Sequence, residues 1–165
     1  GMRGVMATSS PSMDIQISSN FERYLFEAAD RDSAKIRGFM QALSEHKRFE
    51  LGDLWPNLKA DFSAAAATET DVAECIRATQ QKQGYVLDPH TACGVVATQR
   101  LKPAGTTVTL ATAHPAKFPG AIRQATGEDL AHHPALNALE NMPTRCDVLP
   151  PDEKTIRSYI ETRAG

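Results

Sequence analysis

Four short runs in this chain carry side chains that could hold an anion or move a proton. Ser18-Ser19-Asn20-Phe21-Glu22-Arg23 places hydroxyls, an amide and a guanidinium at the start of an amphipathic stretch. A helix start leaves backbone N–H groups free, so this run describes an anion cradle with Arg23 one turn in. It also describes a capped helix with a solvated arginine, and local sequence by itself favours that simpler form. Asp88-Pro89-His90-Thr91 offers an imidazole for acid–base work, in a run that reads first as a helix cap. Thr112-Ala113-His114-Pro115-Ala116-Lys117-Phe118 is a polar cluster after an apolar run. Lys117 has the amine that Schiff-base chemistry needs, but a lysine after a proline turn is ordinarily just exposed. Ser10-Pro11-Ser12-Met13-Asp14 is a hydroxyl-rich turn.

Other chemistries find less support. His132 and His133 are adjacent, so they diverge on a helix, and no third ligand stands at metal-binding spacing. Neither GxxxxGK[ST], GxGxxG nor GxSxG occurs. Across 165 residues, 18 basic and 20 acidic side chains leave a net charge of −2. That balance argues against nucleic acid and against a polybasic membrane patch, which both require clustered Lys and Arg. No apolar run is long enough to span a bilayer. Cys75, Cys93 and Cys146 are odd in number and widely spaced, which reads as reduced thiols in a cytoplasmic protein. The start, Gly1-Met2-Arg3-Gly4, lacks the features of a signal peptide, and a Gly before Met reads as a cloning remnant.

The elements that must position these runs follow from periodicity and caps. Gly4 to Thr8 reads as a buried strand, an abrupt opening that leads us to expect a start inside a larger domain. Ser19 and Glu22 have capping-box spacing ahead of Phe21, Tyr24, Leu25 and Ala28. A helix over 33–46 buries Ile36, Phe39, Met40 and Leu43 on one face. Over 51–67 the pattern is weak, because Trp55-Pro56 breaks a helix. Thr68 and Asp71 cap a further helix that stops at Gly84. Tyr85-Val86-Leu87 reads as a short strand, and Asp88-Pro89 opens a packed helix to Leu101. Thr107 to Thr112 reads as the best strand, Cys146 to Leu149 as a late one, and a final helix runs from Asp152 or Glu153 to Thr162. Strands alternating with helices predict an α/β fold, a mostly parallel sheet flanked by helices, in one structural unit over 1–165.

Taken together the four runs go further. Ser10-Pro11-Ser12-Met13-Asp14-Ile15, Ser19-Asn20-Phe21-Glu22-Arg23, Gly84-Tyr85-Val86-Leu87-Asp88-Pro89-His90-Thr91-Ala92 and Ala111-Thr112-Ala113-His114-Pro115-Ala116-Lys117-Phe118-Pro119 resemble the threonine synthase family, in this order. The resemblance runs on to Arg145-Cys146-Asp147-Val148-Leu149-Pro150 and covers only the C-terminal part of a family chain. It implies part of a type II pyridoxal phosphate fold and an enzyme that converts O-phospho-L-homoserine and water to L-threonine and phosphate.

The resemblance also implies roles. The family's Schiff-base lysine stands in a Leu-Ala-Phe-Lys-Asp-like motif that these residues do not contain, and Lys117 does not match it. The loop for the cofactor phosphate is likewise outside, so this chain alone is expected to be inactive and not to hold pyridoxal 5'-phosphate. Thr112 matches the threonine that hydrogen-bonds the pyridine nitrogen. Asn20 and Arg23, with Ser18 and Ser19 nearby, match a pattern that binds the substrate phosphate. Two rivals stand beside this reading: another type II enzyme such as a dehydratase, and a non-catalytic binding module of the same fold. The His114–Phe118 run disfavours the first.

Overall fold

Capping chemistry sets where the helices begin. The computed structural model describes residues 4–139 and 141–163. Its helices are α1 (Ser19–Ala28), α2 (Ser33–His46), α3 (Trp55–Asp61), α4 (Glu69–Gln83), α5 (Pro89–Leu101), α6 (Pro119–Thr126), α7 (Pro134–Asn137) and α8 (Glu153–Glu161). Short 3-10 turns occupy Pro11–Met13, Gly52–Leu54 and Pro115–Lys117. Asp32 caps α2 by accepting from the amides of Ala34 and Lys35. Thr68 and Asp71 form the expected capping box on α4, and Gly84 ends that helix in the left-handed region at φ 68°. Hydrogen bonds from Thr68, with Arg100 adding its charge, hold the Asp71 carboxyl at about 2.

Two readings of helix starts need correction. Ser18, not Ser19, is the N-cap of α1, and its side chain makes no capping bond. Pro56 does not break a helix. It sits in the first turn of α3, where a proline loses no intrahelical hydrogen bond.

The expected parallel sheet is overturned. Among the described residues there are helices and 3-10 turns and no strand. A β-rich run becomes a strand only when a neighbour supplies a hydrogen-bond ladder, and composition cannot provide that neighbour. Val108 and Leu110 in the Thr107–Thr112 run are 78% and 74% exposed, and Val5, Met6 and Val148 are exposed as well. Tyr85-Val86-Leu87 serves instead as the link between α4 and α5, with Leu87 buried in the core.

The chain divides into two compact units, Gly1–His133 and Pro134–Gly165. In the first, Leu25, Ala29, Ile36 and Leu54 form one cluster, with Phe39 stacked on Phe49 at 5.1 Å beside it. A larger cluster joins α4, α5 and α6 through Val72, Cys75, Ile76, Leu87, Ala92, Val96, Ile122 and Ala125. In the second unit α8 is capped by Asp152, and Tyr159 donates to Asp147.

Candidate functional site

The N-terminus of α5 is where buried polar chemistry concentrates. Asp88 is 2% exposed, and the neighbouring Pro89, His90, Thr91 and Ala92 are buried with it. Its Oδ1 accepts from the amides of His90 (2.9 Å) and Thr91 (3.3 Å), and lies 3.2 Å from His90 Nδ1. Its Oδ2 accepts from the Thr91 hydroxyl. Burial pushes the carboxyl up, but these donors outweigh it and hold Asp88 below its ordinary range.

Hydrogen-bond logic then fixes the protons. The Ser12 amide can only donate, and it points at His90 Nε2 at 3.2 Å. Nε2 must therefore accept, which leaves the ring proton on Nδ1, facing Asp88. A carboxylate can only accept, so the single Thr91 hydroxyl proton goes to Asp88. The Thr91 lone pairs are then turned to the Thr112 amide, which donates to Oγ1 at 3.1 Å.

The run leading to Thr112 lies along one face of α5. Thr91, Gly94 and Thr98 share that face at i, i+3 and i+7. Thr98 Oγ1 is 3.2 Å from Thr109 Oγ1. Between these two ties, a Cβ added at Gly94 would lie 3.1 Å from the Thr109 methyl, so the glycine makes room for the run. Phe118 packs on the His90 ring at 4.8 Å, and His114 accepts from the Ala116 amide to close the Pro115–Lys117 turn. Lys117 itself is exposed. On the other side, Asp14 accepts from the Thr8 amide and hydroxyl at 2.9 Å each, and buried Ser10 lies 3.6 Å from Cys93 Sγ.

Three of the four runs singled out above thus meet at one helix start: Ser10–Asp14, Asp88–Thr91 and Thr112–Phe118. The fourth stands apart. Ser18, Ser19, Asn20 and Arg23 are exposed at the start of α1, and no hydrogen bond or ion pair among the described residues ties them to Thr112. Ser19 and Arg23 line a cavity of about 360 Å³ with Glu22, Ser33 and Arg37. Residue-by-residue reading missed Arg37, whose Nη1 lies 3.4 Å from Ser33 Oγ. It also missed that His90 and Thr91 reach beyond their own helix, to the Ser12 and Thr112 amides. The spacing of Thr91, Gly94 and Thr98 was the available signal, a small and polar stripe in place of a greasy one.

Comparison with known proteins places the chain. Residues 91–160 match the family model described as threonine synthase, C-terminal. A threonine synthase of Methylobacillus glycogenes is 36% identical, over 97% of this chain and 34% of its own length. The structure of a PLP-bound threonine synthase from Brucella melitensis aligns with a TM-score of 0.81 at 44% identity, covering 98% of this chain and 35% of that one. A yeast threonine synthase structure aligns at 0.65 with 31% identity, over 95% of this chain and 33% of that one. The chain therefore spans about a third of the length of the relatives it matches.

Proposed function

We propose, from the premise that this chain belongs to the threonine synthase family and corresponds to its C-terminal part, that its residues serve the conversion of O-phospho-L-homoserine and water to L-threonine and phosphate. The observation that carries the reading is the meeting of three runs at the start of α5, because these are runs on which the family resemblance rests. Pyridoxal phosphate, when bound, supplies the electron sink for negative charge that develops at the amino-acid Cα and Cβ. The donor set around Thr112 fits that cofactor. Thr112 is exposed, its hydroxyl is uncharged, and its backbone is tied to a buried helix start. A neutral hydroxyl against a pyridine nitrogen leaves that nitrogen largely unprotonated.

Ser18, Ser19, Asn20 and Arg23 are assigned to the substrate phosphate. Ser18 makes no side-chain cap, so the first N–H groups of α1 remain without a side-chain capping acceptor. A nearly doubly negative phosphate suits those groups and a planar guanidinium. The lysine that would hold the cofactor is assigned to the part of the relatives this chain does not cover, so the chain by itself is expected to be silent. A cytoplasmic setting fits its three free thiols.

The test is a fusion in which these residues replace the matching third of the Brucella melitensis relative. It should release phosphate and form threonine from O-phospho-L-homoserine, whereas the isolated chain should do neither. A folded, cofactor-loaded fusion that deaminates serine or threonine and leaves phosphohomoserine untouched would establish the dehydratase reading instead.

A further inference from the structure

We propose that Asp88 and Thr91 are positioning residues that fix Thr112 from the far side of the α5 start. This rests on the reading of Thr112 as a cofactor partner, and extends it to two residues that no family role was assigned to above. The geometry commits the polar atoms in turn. Asp88 is buried and already accepts two backbone amides on Oδ1, which anchors it as the helix cap. Its Oδ2 is then committed to the Thr91 hydroxyl proton. With that proton held, Thr91 presents only lone pairs toward the Thr112 amide. The tie is made to the backbone of Thr112, so the residue's own hydroxyl stays available while its position is set. The second tie, Thr98 to Thr109, prevents the run from pivoting about the first.

His90 gives an internal control. It hangs from the same carboxylate but holds the Ser12 amide, on a different loop. Loss of the Thr91 hydroxyl should therefore release Thr112 and leave Ser12 held. Loss of the His90 acceptor should do the reverse.

Amide hydrogen exchange followed by NMR on this chain tests the idea without any cofactor. In the unaltered chain the Thr112 amide should exchange about tenfold more slowly than its sequence predicts, and more slowly than that of exposed Ala111, as one hydrogen bond implies. Thr91→Val should abolish that protection and spare Ser12, Thr91→Ser should keep it, and His90→Phe should free Ser12 alone. A Thr112 amide that exchanges as fast as Ala111 in the unaltered chain would overturn the proposal, whether or not the variants fold. So would equal protection in Thr91→Val.

A second readout separates this proposal from the cofactor reading. In the fusion protein, the visible absorption of bound pyridoxal phosphate should shift in Thr91→Val in the same sense as in Thr112→Val. The double variant should shift no further than Thr112→Val alone. If Thr112→Val leaves the spectrum unchanged while Thr91→Val still releases the Thr112 amide, the cofactor assignment has failed and the positioning assignment stands.

Discussion

At the scale of single residues, Asp88 shows how one carboxylate can do more than cap a helix. Its place before Pro89 made the cap legible in sequence, because an Asp-Pro pair starts helices for well-understood reasons. Its wider role was hidden, since the Thr112 amide that depends on it through Thr91 lies 21 residues beyond Thr91. The predicted consequence is a pH-dependent one. The folded-state pKa of Asp88 lies below the ordinary 3.8, so its stabilisation is complete above that value and is lost as pH falls through the lower, folded value. Asp88→Asn keeps an oxygen for the backbone amides but puts an NH₂ where Oδ2 accepted the Thr91 proton, so the Thr91 hydroxyl must turn to accept from that NH₂ and its own proton loses its acceptor. At neutral pH this should cost about 1–3 kcal/mol, a fall in Tm of roughly 3–10 °C. The gap between the two proteins should close as pH drops below about 4. A gap that is constant from pH 7 to pH 3 would mean the charge of Asp88 contributes nothing.

Among the elements, helices were far more legible than the rest. A cap such as Thr68 with Asp71, or a stop such as Gly84, is written within one turn of chain, so local sequence suffices. The runs 4–8 and 107–112 carry equally clear β-forming residues, yet ladder pairing depends on a distant neighbour, and none is present among the described residues. What holds the 107–112 run is the polar face of α5, and Gly94 is the place to probe it. Gly94→Ala brings two opposed terms. A helix-interior alanine gains about 1 kcal/mol over glycine, while overpacking a rigid neighbour costs about 1–3 kcal/mol. Here the neighbour is the Thr109 methyl at 3.1 Å, on a run flanked by the exposed Val108 and Leu110, so it can shift by a few tenths of an ångström. We expect Tm to hold or to rise by up to about 3 °C, together with faster exchange of the Thr112 amide as the run is lifted. A fall in Tm beyond about 5 °C would show that the run is packed as tightly as a core.

For the molecule as a whole, the sequence motifs announced one family but not how its parts are divided. Within Gly1–His133 the start of α1 belongs to the cluster around Leu25 and Ile36, and the start of α5 to the cluster around Ile76 and Ala92. Motif order along the chain carries no information about that division, which is why Arg23 and Thr112 could be named together and still be supported by different cores. If the roles are as proposed, they should separate in experiment. In the fusion protein, Arg23→Ala removes a charge-assisted hydrogen bond to phosphate. The cost of about 1.5–3 kcal/mol corresponds to roughly ten- to a hundredfold in kcat/KM for O-phospho-L-homoserine. Bound-cofactor absorption should not move, because no hydrogen bond or ion pair among the described residues links Arg23 to Thr112. Arg23→Lys should restore part of the rate, since an ammonium supplies the charge without the two-pronged fork. Homoserine, which has no phosphate, is the control: its binding should be the same with and without the guanidinium. If Arg23→Ala weakens homoserine as much as phosphohomoserine, Arg23 is supporting α1 against α2 and the phosphate is held elsewhere.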